Sequence, residues 1–144
     1  EAENQPDGRI LLKFQDGTFE DPFVDRWVSD GTIKMFAYLL LLHDPSPHQL
    51  LCVEEPENQL YPNLLWELAE EFKDYARKGG QVFVTTHSPD FLNAVPINSI
   101  IWLEKVDGLS TFHRAKDHSL VASLVSEGDQ PGYLWKQGIL GQRL

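Results

Sequence analysis

The segment QLLCVEEPENQLYP, residues 49–62, joins a short apolar run to a stretch rich in acids and proline. The apolar run is continuous and has the length of a strand, which is typical of a central parallel strand covered on both faces. It ends on Glu54 and Glu55, whose side chains should point to opposite sides because successive residues of a strand alternate. One carboxylate could then hold a metal ion while the other addresses a water molecule. Two surface acids at a strand end are the alternative.

A long amphipathic helix is predicted directly after this segment. Pro62 suits a first helical position, and the pair Gly79-Gly80 ends the pattern. The stripe expected to face the core consists of Leu65, Leu68, Ala69, Phe72 and Ala76. The next segment, QVFVTT at 81–86, predicts a second buried strand. Two strands joined by such a helix are the unit from which parallel sheets are built.

The second half of the chain continues the alternation of strands and helices. HSPDFLNAV at 87–95 predicts a short helix capped by Ser88, and NSIIWLEK at 98–105 predicts a third strand. The Asp-Gly dipeptide at 107–108 favours a tight turn into a further strand. A helix is expected over 118–126, followed by a short tail with aromatic residues. The order strand, helix, strand, helix, strand predicts an α/β fold with a parallel sheet flanked by helices.

The N-terminal third contains a predicted hairpin and a predicted helix. GRILLKFQDGTFEDPF at 8–23 alternates apolar and polar residues about Asp16 and Gly17, which favours a peripheral β-hairpin. In the next segment Ser29 or Asp30 can cap a helix that we expect to be well buried. Its apolar stripe consists of Ile33, Phe36, Ala37, Leu40 and Leu41.

Polar side chains gather where the predicted parallel strands end. Glu54 and Glu55 follow one strand, and Thr86 and His87 follow the other. Ligands of open α/β sheets bind beyond the carboxyl ends of the strands. A neutral imidazole can contact a phosphate oxygen or an attacking water there, although a structural, hydrogen-bonded His87 is the alternative. VSDGT at 28–32 is either a plain helix cap or a phosphate cradle at a helix start.

Composition and charge limit the classes of function. The 144 residues suit one domain, and a formal net charge of -10 with a sequence pI of about 4.8 disfavours nucleic-acid binding by this chain alone. The longest apolar segment, 33–42, is half the length of a bilayer span, so we expect no membrane crossing. The single cysteine, Cys52, lies in an apolar run, which predicts a buried structural thiol and a reducing cytoplasm. The polar N-terminus is unlike a signal peptide, and its lack of an initiator Met indicates a fragment or a processed chain.

In this order and spacing, the polar segments resemble the motifs of ABC-type ATPases. The likeness is to the C-terminal half of these proteins, within the soluble AAA-family branch related to overcoming-lysogenization-defect, DNA-repair and chromosome-maintenance ATPases. It extends from residue 8 to residue 141 and implies a partial P-loop NTPase-like sheet. The matching segments are VSDGT (28–32) with the signature motif, LLCVEE (50–55) with the Walker B strand, PENQLYP (56–62) with the D-loop, VFVTTHSPDFL (82–92) with the H-switch, and GYLWKQGILG (132–141) with a common ending of the branch.

The resemblance implies roles in ATP hydrolysis for two acids and a histidine. Glu54 would bind Mg²⁺ directly or through water, and Glu55 would polarise the attacking water. His87 would contact the γ-phosphate of ATP and sense its presence. Carboxylates and an imidazole suit phosphoryl transfer, which needs positioning and charge neutralisation more than covalent chemistry.

The resemblance also implies a homodimer with nucleotides at its interface. Ser29 and Gly31 would touch the γ-phosphate of ATP held by the opposite protomer, with Asp30 near that contact. Asn58 would lie in the segment through which the two sites communicate. Because Ser29 and Glu55 would serve different nucleotides, each site would be completed in trans.

One motif of such ATPases is missing from the sequence. No G-x-x-x-x-G-K-[ST] occurs, so the Walker A cradle and its lysine for the β- and γ-phosphates are absent. By resemblance, the strand bearing that loop would lie between 81–86 and 98–105. We therefore expect residues 1–144 to be the C-terminal portion of an ABC-type ATPase domain, acting in DNA repair or antiphage defence. It would be inactive until an N-terminal Walker A segment, in the same or a separate chain, completes it, and DNA or an effector nuclease would contact regions outside this chain.

Two other functions remain open. A non-catalytic regulatory or assembly module could retain the fold, with aromatic side chains serving as partner contacts or as core and edge packing. The aromatic candidates are Trp27, Trp66, Tyr133 and Trp135. A metal-dependent nuclease or hydrolase would instead use carboxylate and imidazole ligands. Those ligands would be Glu54, Glu55, Glu57 and His87.

Overall fold

The computed structural model describes residues 1–15, 17–18 and 20–141 of the chain. The strands in this part are β1 (Ala2–Asn4), β2 (Ile10–Phe14), β3 (Phe23–Val24), β4 (Leu50–Glu54), β5 (Gln81–Thr85), β6 (Ile101–Val106) and β7 (Leu109–Arg114). The α-helices are α1 (Asp30–Leu42), α2 (Pro62–Arg77), α3 (Pro89–Asn93), α4 (Ser119–Ser126) and α5 (Pro131–Lys136). Short 3-10 helices cover Asp25–Trp27, Ile97–Ser99 and Ala115–Asp117.

β4 and β5 form a parallel pair, as the sequence predicts. Their register runs from Leu50 opposite Gln81 to Glu54 opposite Thr85. α2 connects the two strands and packs on β5. The result is an α/β arrangement with a small parallel sheet and flanking helices, which confirms the predicted fold class. The carboxyl ends of both strands, and the polar residues after them, lie side by side.

The predicted third strand forms, but it pairs differently from the first two. β6 pairs antiparallel with β7, from Ile101 opposite Arg114 to Val106 opposite Leu109. In the described part of the chain, β6 has no pairing with β5. Residues 107–108 make the predicted turn with φ angles of 50° and 84°, as a two-residue hairpin requires. So short a turn brings β7 beside β6 at little cost in loop entropy, as the sequence predicts. The resemblance led us to expect a further strand between β5 and β6, so the lack of a direct β5–β6 pairing does not contradict the predicted sheet.

The N-terminal strands form a small antiparallel sheet in the order β1-β2-β3. β2 pairs with β3, as the predicted peripheral hairpin requires. The turn residue Asp16 lies outside the described residues, so that turn stays a prediction. β1, which the sequence pattern did not indicate, pairs with β2 and is joined to it by an ion pair between Glu3 and Lys13. The hydrogen bond and opposite charge within this pair lower the pKa of Glu3 and raise the pKa of Lys13.

α2 carries the main hydrophobic core and contacts α1, α3 and β5. Its buried side chains are Leu65, Leu68, Ala69, Phe72 and Tyr75. The expectation for Ala76 is wrong, since it is exposed and Tyr75 takes its place. The Tyr75 hydroxyl donates to the carbonyl oxygen of His48 at 2.5 Å, a reach that a methyl group lacks. This packing also requires glycine at position 80, because a Cβ there would lie 2.3 Å from the Tyr75 ring.

α1 is less buried than its apolar sequence predicts. The residues of α1 that pack against the core are Met35, Tyr38, Leu41 and Leu42. Ala37 is exposed, and Leu40 is 59% exposed, although both were expected in the buried stripe. α1 packs chiefly on α2, so one side of the helix is covered and the other is not. Helical spacing alone did not identify which side faces the core.

One face of the parallel pair is open in the described structure. Leu51 is buried and Val53 packs against the core, whereas the alternate residues point the other way. Leu50 and Phe83 are 50% and 54% exposed. Cys52 is exposed as well, so the expectation of a buried thiol is wrong, as is that of a strand covered on both faces. The described helices pack on one face of the pair only, and strand alternation leaves these side chains on the other.

The C-terminal helices form a second core cluster. Its buried members are Ile100, Ala115, Val121, Leu134 and Leu140. α4 confirms the helix predicted over 118–126, whereas α5 is a helix where a plain tail was expected. α5 packs on α3: the Gly132 N–H donates to Asn93 Oδ1 at 2.7 Å, and a Cβ on Gly132 would lie 2.0 Å from the Pro89 carbonyl oxygen. This contact places α5 beside the end of β5.

The aromatic residues proposed as partner contacts differ in exposure. Trp27 is 74% exposed, Tyr133 52% and Trp66 48%, whereas Trp135 packs against the second cluster. The prediction of core packing is therefore wrong for Trp27. In the described ranges, no helix is both long enough and apolar enough to cross a bilayer.

Candidate functional site

The acidic loop, residues 55–61, leaves β4 at the edge where the predicted site lies. Glu55 continues the sheet by one hydrogen bond, from its N–H to the Thr85 carbonyl oxygen at 2.8 Å. The chain then turns back, with the Asn58 N–H donating to the Glu55 carbonyl oxygen at 3.2 Å. Glu55 adopts a φ of 42°, which is uncommon for a residue other than glycine. Such backbone strain concentrates at functional sites, where surrounding contacts must hold it.

Glu55, Asn58 and His87 come together at this edge. The Asn58 amide Nδ2 donates to Glu55 Oε2 at 2.8 Å, which fixes the orientation of the carboxylate. Glu55 Oε1 lies 3.9 Å from His87 Nε2, with the two side chains 40% and 79% exposed. At that distance there is no direct hydrogen bond. One carboxylate oxygen is therefore held by protein while the other faces the imidazole and solvent.

Glu57 links the acidic loop to the segment after β5. Its Oε1 accepts from the Thr86 hydroxyl at 2.8 Å and from the His87 backbone N–H at 2.9 Å. The Thr86 hydroxyl also accepts from the Ser88 N–H at 3.0 Å. Sequence reasoning considered Glu57 only as a ligand of the alternative metal-dependent nuclease. Its position three residues after Glu54 at a strand end was the available signal, but its partners lie far along the chain.

Glu54 has surroundings that differ from those of its neighbour. It ends β4 opposite Thr85 and is exposed. No hydrogen bond or ion pair with the described residues engages its carboxylate. That freedom fits a Mg²⁺ ion that is also held by phosphate oxygens and water, as Mg²⁺ commonly is. No group of three or more His, Cys, Asp and Glu side chains in the described ranges is placed to hold a metal ion together.

The start of α1 forms an open cleft of about 480 Å³. Ser29, rather than Asp30, caps the helix, with its hydroxyl accepting from the Thr32 N–H at 3.2 Å. The N–H groups at the first helical positions, including that of Gly31, have no partner within the helix and are suited to an anion. The residues that line the cleft are Ser29, Asp30, Gly31, Thr32, Gln59, Tyr61 and Leu64.

Gly31 is required by packing within the chain itself. A Cβ at this position would lie 2.5 Å from the Gln59 carbonyl oxygen. The sequence led us to expect that this glycine permits close approach of a phosphate, and the structure adds a close approach of the acidic loop. A substitution here would therefore move the loop as well as the cleft.

A lysine joins α1 to the acidic loop. Lys34 Nζ donates to the Asn58 carbonyl oxygen at 2.7 Å and lies 5.8 Å from the centre of the Tyr38 ring. Sequence reasoning missed this residue. Its place one helical turn after Asp30 was a signal, because residues four apart share a helix face.

The predicted site residues thus fall into two groups. Ser29, Asp30 and Gly31 line the cleft at α1, whereas Glu55 and His87 stand with Asn58 at the strand ends. The lining of the cleft includes none of the second group. In the described part of the chain, the acidic loop touches both groups, since Gln59 lines the cleft and Asn58 belongs to the second group. One chain therefore presents two separate polar surfaces joined by a single loop.

A further side chain borders His87 from the C-terminal helix. The Trp135 ring on α5 lies 6.4 Å from the His87 ring, centre to centre, with an angle of 33° between their planes. α5 is held in place by the Asn93 side chain, whose Nδ2 donates to Gln130 Oε1 at 3.2 Å. Nothing in the local sequence indicated that these two rings would be neighbours.

Comparison with known proteins gives one family and one solved structure. A family model described as "AAA domain, putative AbiEii toxin, Type IV TA system" matches residues 2–93, which include both groups of site residues. A solved chain from work on ATP-driven dimerization and DNA-stimulated activation of SMC ATPases has 16% sequence identity and a TM-score of 0.58. The match covers 85% of this chain and 76% of that chain and indicates a shared fold. None of the curated proteins matches the sequence.

Proposed function

Because this chain belongs to the family "AAA domain, putative AbiEii toxin, Type IV TA system", we propose that it forms the signature and Walker B lobe of a dimeric ATP-hydrolysing switch. The observation that carries the proposal is the grouping of Glu55, Asn58 and His87 at the carboxyl ends of β4 and β5. The Glu55 carboxylate and the His87 imidazole lie 3.9 Å apart and are not hydrogen-bonded to each other, so each is free to contact a water or a phosphate oxygen at the site edge.

The residues of this site divide the work of phosphoryl transfer. Bound Mg²⁺-ATP supplies the electrophilic γ-phosphorus and a metal that neutralises charge on the leaving phosphates. Glu55 Oε1 accepts a hydrogen bond from the attacking water and orients it, while Asn58 holds Oε2. His87 contacts the γ-phosphate through its ring nitrogen. Glu54 holds the metal directly or through water, which its exposed carboxylate permits.

The separation of the two polar surfaces supports a homodimer. Ser29 and Gly31 line a cleft apart from Glu55 and His87, so one nucleotide would not touch both within a single chain. In our proposal the cleft binds the γ-phosphate of ATP held by the partner, with Asp30 beside it. Asn58 then connects the sites, because it bonds both the Glu55 carboxylate and Lys34 of α1.

A Walker A segment would complete the site from outside these 144 residues. Two observations support this step besides the missing motif. β5 pairs only with β4 in the described structure, which leaves its other edge free for a strand. The open face of the pair bears Leu50, Cys52 and Phe83, apolar side chains that a further segment would cover. We propose that the segment lies in the same or a separate polypeptide and that residues 1–144 alone hydrolyse no ATP.

The test joins this chain to a Walker A segment and measures Mg²⁺-dependent phosphate release. Glu55→Gln should lower kcat about 100-fold or more, because a general base contributes 10²–10⁴-fold. The variant should also trap ATP and prolong dimerisation, measured by light scattering.

Glu67→Gln is the matched control, since Glu67 lies exposed on α2 outside the site, and it should leave kcat unchanged. Normal turnover by Glu55→Gln would remove Glu55 from its role. Hydrolysis by residues 1–144 alone, abolished by Glu55→Gln, would contradict the need for a Walker A segment.

The proposal also includes a biological setting. By the family resemblance, the switch acts in DNA repair or antiphage defence, and its output is a conformational change. The net charge of -10 disfavours a DNA contact by this chain itself. In our proposal, DNA or an effector nuclease binds regions outside this chain. A reducing cytoplasm suits its free and exposed Cys52.

A non-catalytic assembly module is the second candidate function. The exposure of Trp27, Trp66 and Tyr133 favours it, since exposed aromatic side chains are enriched where proteins bind partners. Nucleotide binding separates the two functions. If the chain joined to its Walker A segment fails to bind Mg²⁺-ATP in calorimetry, the module is the better description.

A further inference from the structure

Glu57 ties the acidic loop to two consecutive residues that follow β5, and a third residue bonds to the first of these. Its Oε1 accepts from the Thr86 hydroxyl and from the His87 N–H, at 2.8 and 2.9 Å. The same hydroxyl accepts from the Ser88 N–H at 3.0 Å, one residue before α3 begins. One carboxylate oxygen therefore fixes the backbone on which the His87 ring is carried.

We propose that Glu57 is a positioning residue for His87, which holds the imidazole opposite the Glu55 carboxylate. The proposal rests on the function proposed above, because it concerns the same site. The His87 side chain is 79% exposed, and no hydrogen bond with the described residues reaches its ring. An exposed side chain changes rotamer readily. The ring's place beside Glu55 thus depends on its backbone, which Glu57 holds, and on the Trp135 ring 6.4 Å away.

The surroundings of Glu57 support a role beyond stability. Its Oε2 is buried and has no hydrogen-bond partner in the part of the chain that the structure describes. Leaving a buried oxygen unpaired costs free energy, which an apolar residue would avoid. A charged acceptor, however, makes a stronger hydrogen bond to the His87 N–H than a neutral one. The carboxylate also lies near Tyr38, whose pKa is raised by burial and then by the charge of Glu57.

The direct test is amide hydrogen exchange at His87, followed by NMR on the folded protein with ¹⁵N-labelled histidine. Glu57→Gln keeps the size and an accepting oxygen but removes the charge, and it should speed exchange about threefold to tenfold. Glu57→Ala removes the acceptor and should speed exchange about tenfold or more. Thr86→Ser retains the hydroxyl and should behave like the parent protein.

Two controls separate positioning from loss of stability. Glu127→Gln weakens a comparable bond, which the Ser123 hydroxyl donates to a remote exposed carboxylate at 3.0 Å. Val121→Ala opens a cavity at a fully buried position in the second core cluster. Neither control variant should change the exchange rate of the His87 amide specifically. Any change there should be no larger than the change at amides that exchange only when the whole protein unfolds.

Activity gives the second measurement, in the enzyme completed by its Walker A segment. Glu57→Gln should lower kcat about tenfold and leave KM for ATP nearly unchanged, because it misplaces His87 without touching the nucleotide. Unchanged exchange at His87 in both Glu57 variants overturns the proposal, and so does faster exchange with unchanged kcat. The exchange experiment needs no ATP. If exchange responds as expected but the completed enzyme hydrolyses no ATP, the ATPase proposal fails while the hold of Glu57 on His87 stands.

Discussion

Glu54 and Glu55 are neighbours in sequence, yet their side chains meet different surroundings. Glu54 is an exposed strand residue without a partner in the described structure, whereas Glu55 lies at a φ of 42° with one oxygen held by Asn58. At the residue scale, then, the different roles proposed for these two glutamates rest on their contacts rather than on residue type. Glu57 makes the same point, because one of its carboxylate oxygens accepts from the Thr86 hydroxyl and the His87 backbone N–H.

Tyr38 offers a measurement of the charge on Glu57. Its pKa lies above the ordinary value of 10.0, first because the ring is partly buried and second because of the negative charge of Glu57. Glu57→Gln should move the Tyr38 pKa part of the way back, since burial remains. NMR titration with ¹³C-labelled tyrosine checks this, with Glu67→Gln as control.

The same shift has a consequence for stability at high pH. The folded protein keeps the Tyr38 proton to higher pH than the unfolded chain does. The protonated Tyr38 therefore makes its full contribution to the free energy of unfolding below pH 10. That contribution is lost as the pH rises through the raised pKa of the folded protein. Glu57→Gln should make that loss smaller and let it end at a lower pH, because the pKa of Tyr38 in the folded protein falls toward its ordinary value. A Tyr38 titration that does not respond to Glu57→Gln would contradict an ionised Glu57 nearby.

α5 illustrates how an element can matter without contributing a predicted site residue. It spans six residues, too few to be stable alone, and it depends on contacts with α3. The Gly132 backbone lies so close to α3 that the Asn93 side chain accepts its N–H. That contact brings Trp135 beside His87. The position of the ring next to the site is thus set by helix packing.

Gly132→Ala should separate α5 from α3. The added Cβ would lie 2.0 Å from the Pro89 carbonyl oxygen, so the helices must move apart. We expect a loss of about 1–3 kcal/mol in the free energy of unfolding, measured with urea. We also expect a change in Trp135 fluorescence as it leaves His87.

Gly17→Ala is the matched control, because a Cβ there meets no atom within 4 Å. It should change stability by less than about 0.5 kcal/mol. Equal effects of the two substitutions would show that the close approach at Gly132 is not a constraint.

The described part of the chain contains two core clusters, and one face of the β4–β5 pair is open. The larger cluster lies under α2 and the smaller one among α4, α5 and the residues around them. The face that bears Leu50, Cys52 and Phe83 is covered by neither. In the proposed function this face receives the Walker A segment, which would explain why a strand of so apolar a sequence is half exposed.

Cys52 reports on whether that face becomes covered. It is the single cysteine of the chain and is exposed, so a thiol reagent should label it readily. Joining the Walker A segment should slow labelling about tenfold or more, since thiol reactivity depends on access. The reaction with an aromatic disulfide reagent, followed by absorbance, measures the rate. The labelling rates of both proteins unfolded in urea serve as the reference and should be equal. If the folded single chain and the folded completed protein also react at equal rates, the segment docks elsewhere.

Local signals in the sequence predicted much of the architecture and part of the site. Ser29 and Ser88 cap helices, residues 107–108 turn a hairpin, and β4 and β5 pair in parallel, because each depends on residues close in sequence or on a plain apolar run. Glu54, Glu55, Asn58 and His87 were predicted as site residues from such local signals and from the resemblance, and the structure brings Glu55, Asn58 and His87 together. The sequence did not predict the hydrogen bond from Lys34 to Asn58 or those between Glu57 and residues 86–87. These bonds join residues 24 to 30 positions apart, so no local signal indicates them.

By itself, the sequence determined the order of strands and helices, their capping residues and the acidic and imidazole groups available for chemistry. These follow from backbone propensity and from side chains near one another along the chain. Tertiary structure alone decided which face of α1 and of β4 is covered, that Tyr75 replaces Ala76 in the core, and that Glu57 holds the backbone of His87. The reason is physical: burial and hydrogen bonding depend on what a distant part of the chain brings within about 4 Å, and local periodicity carries no record of that partner.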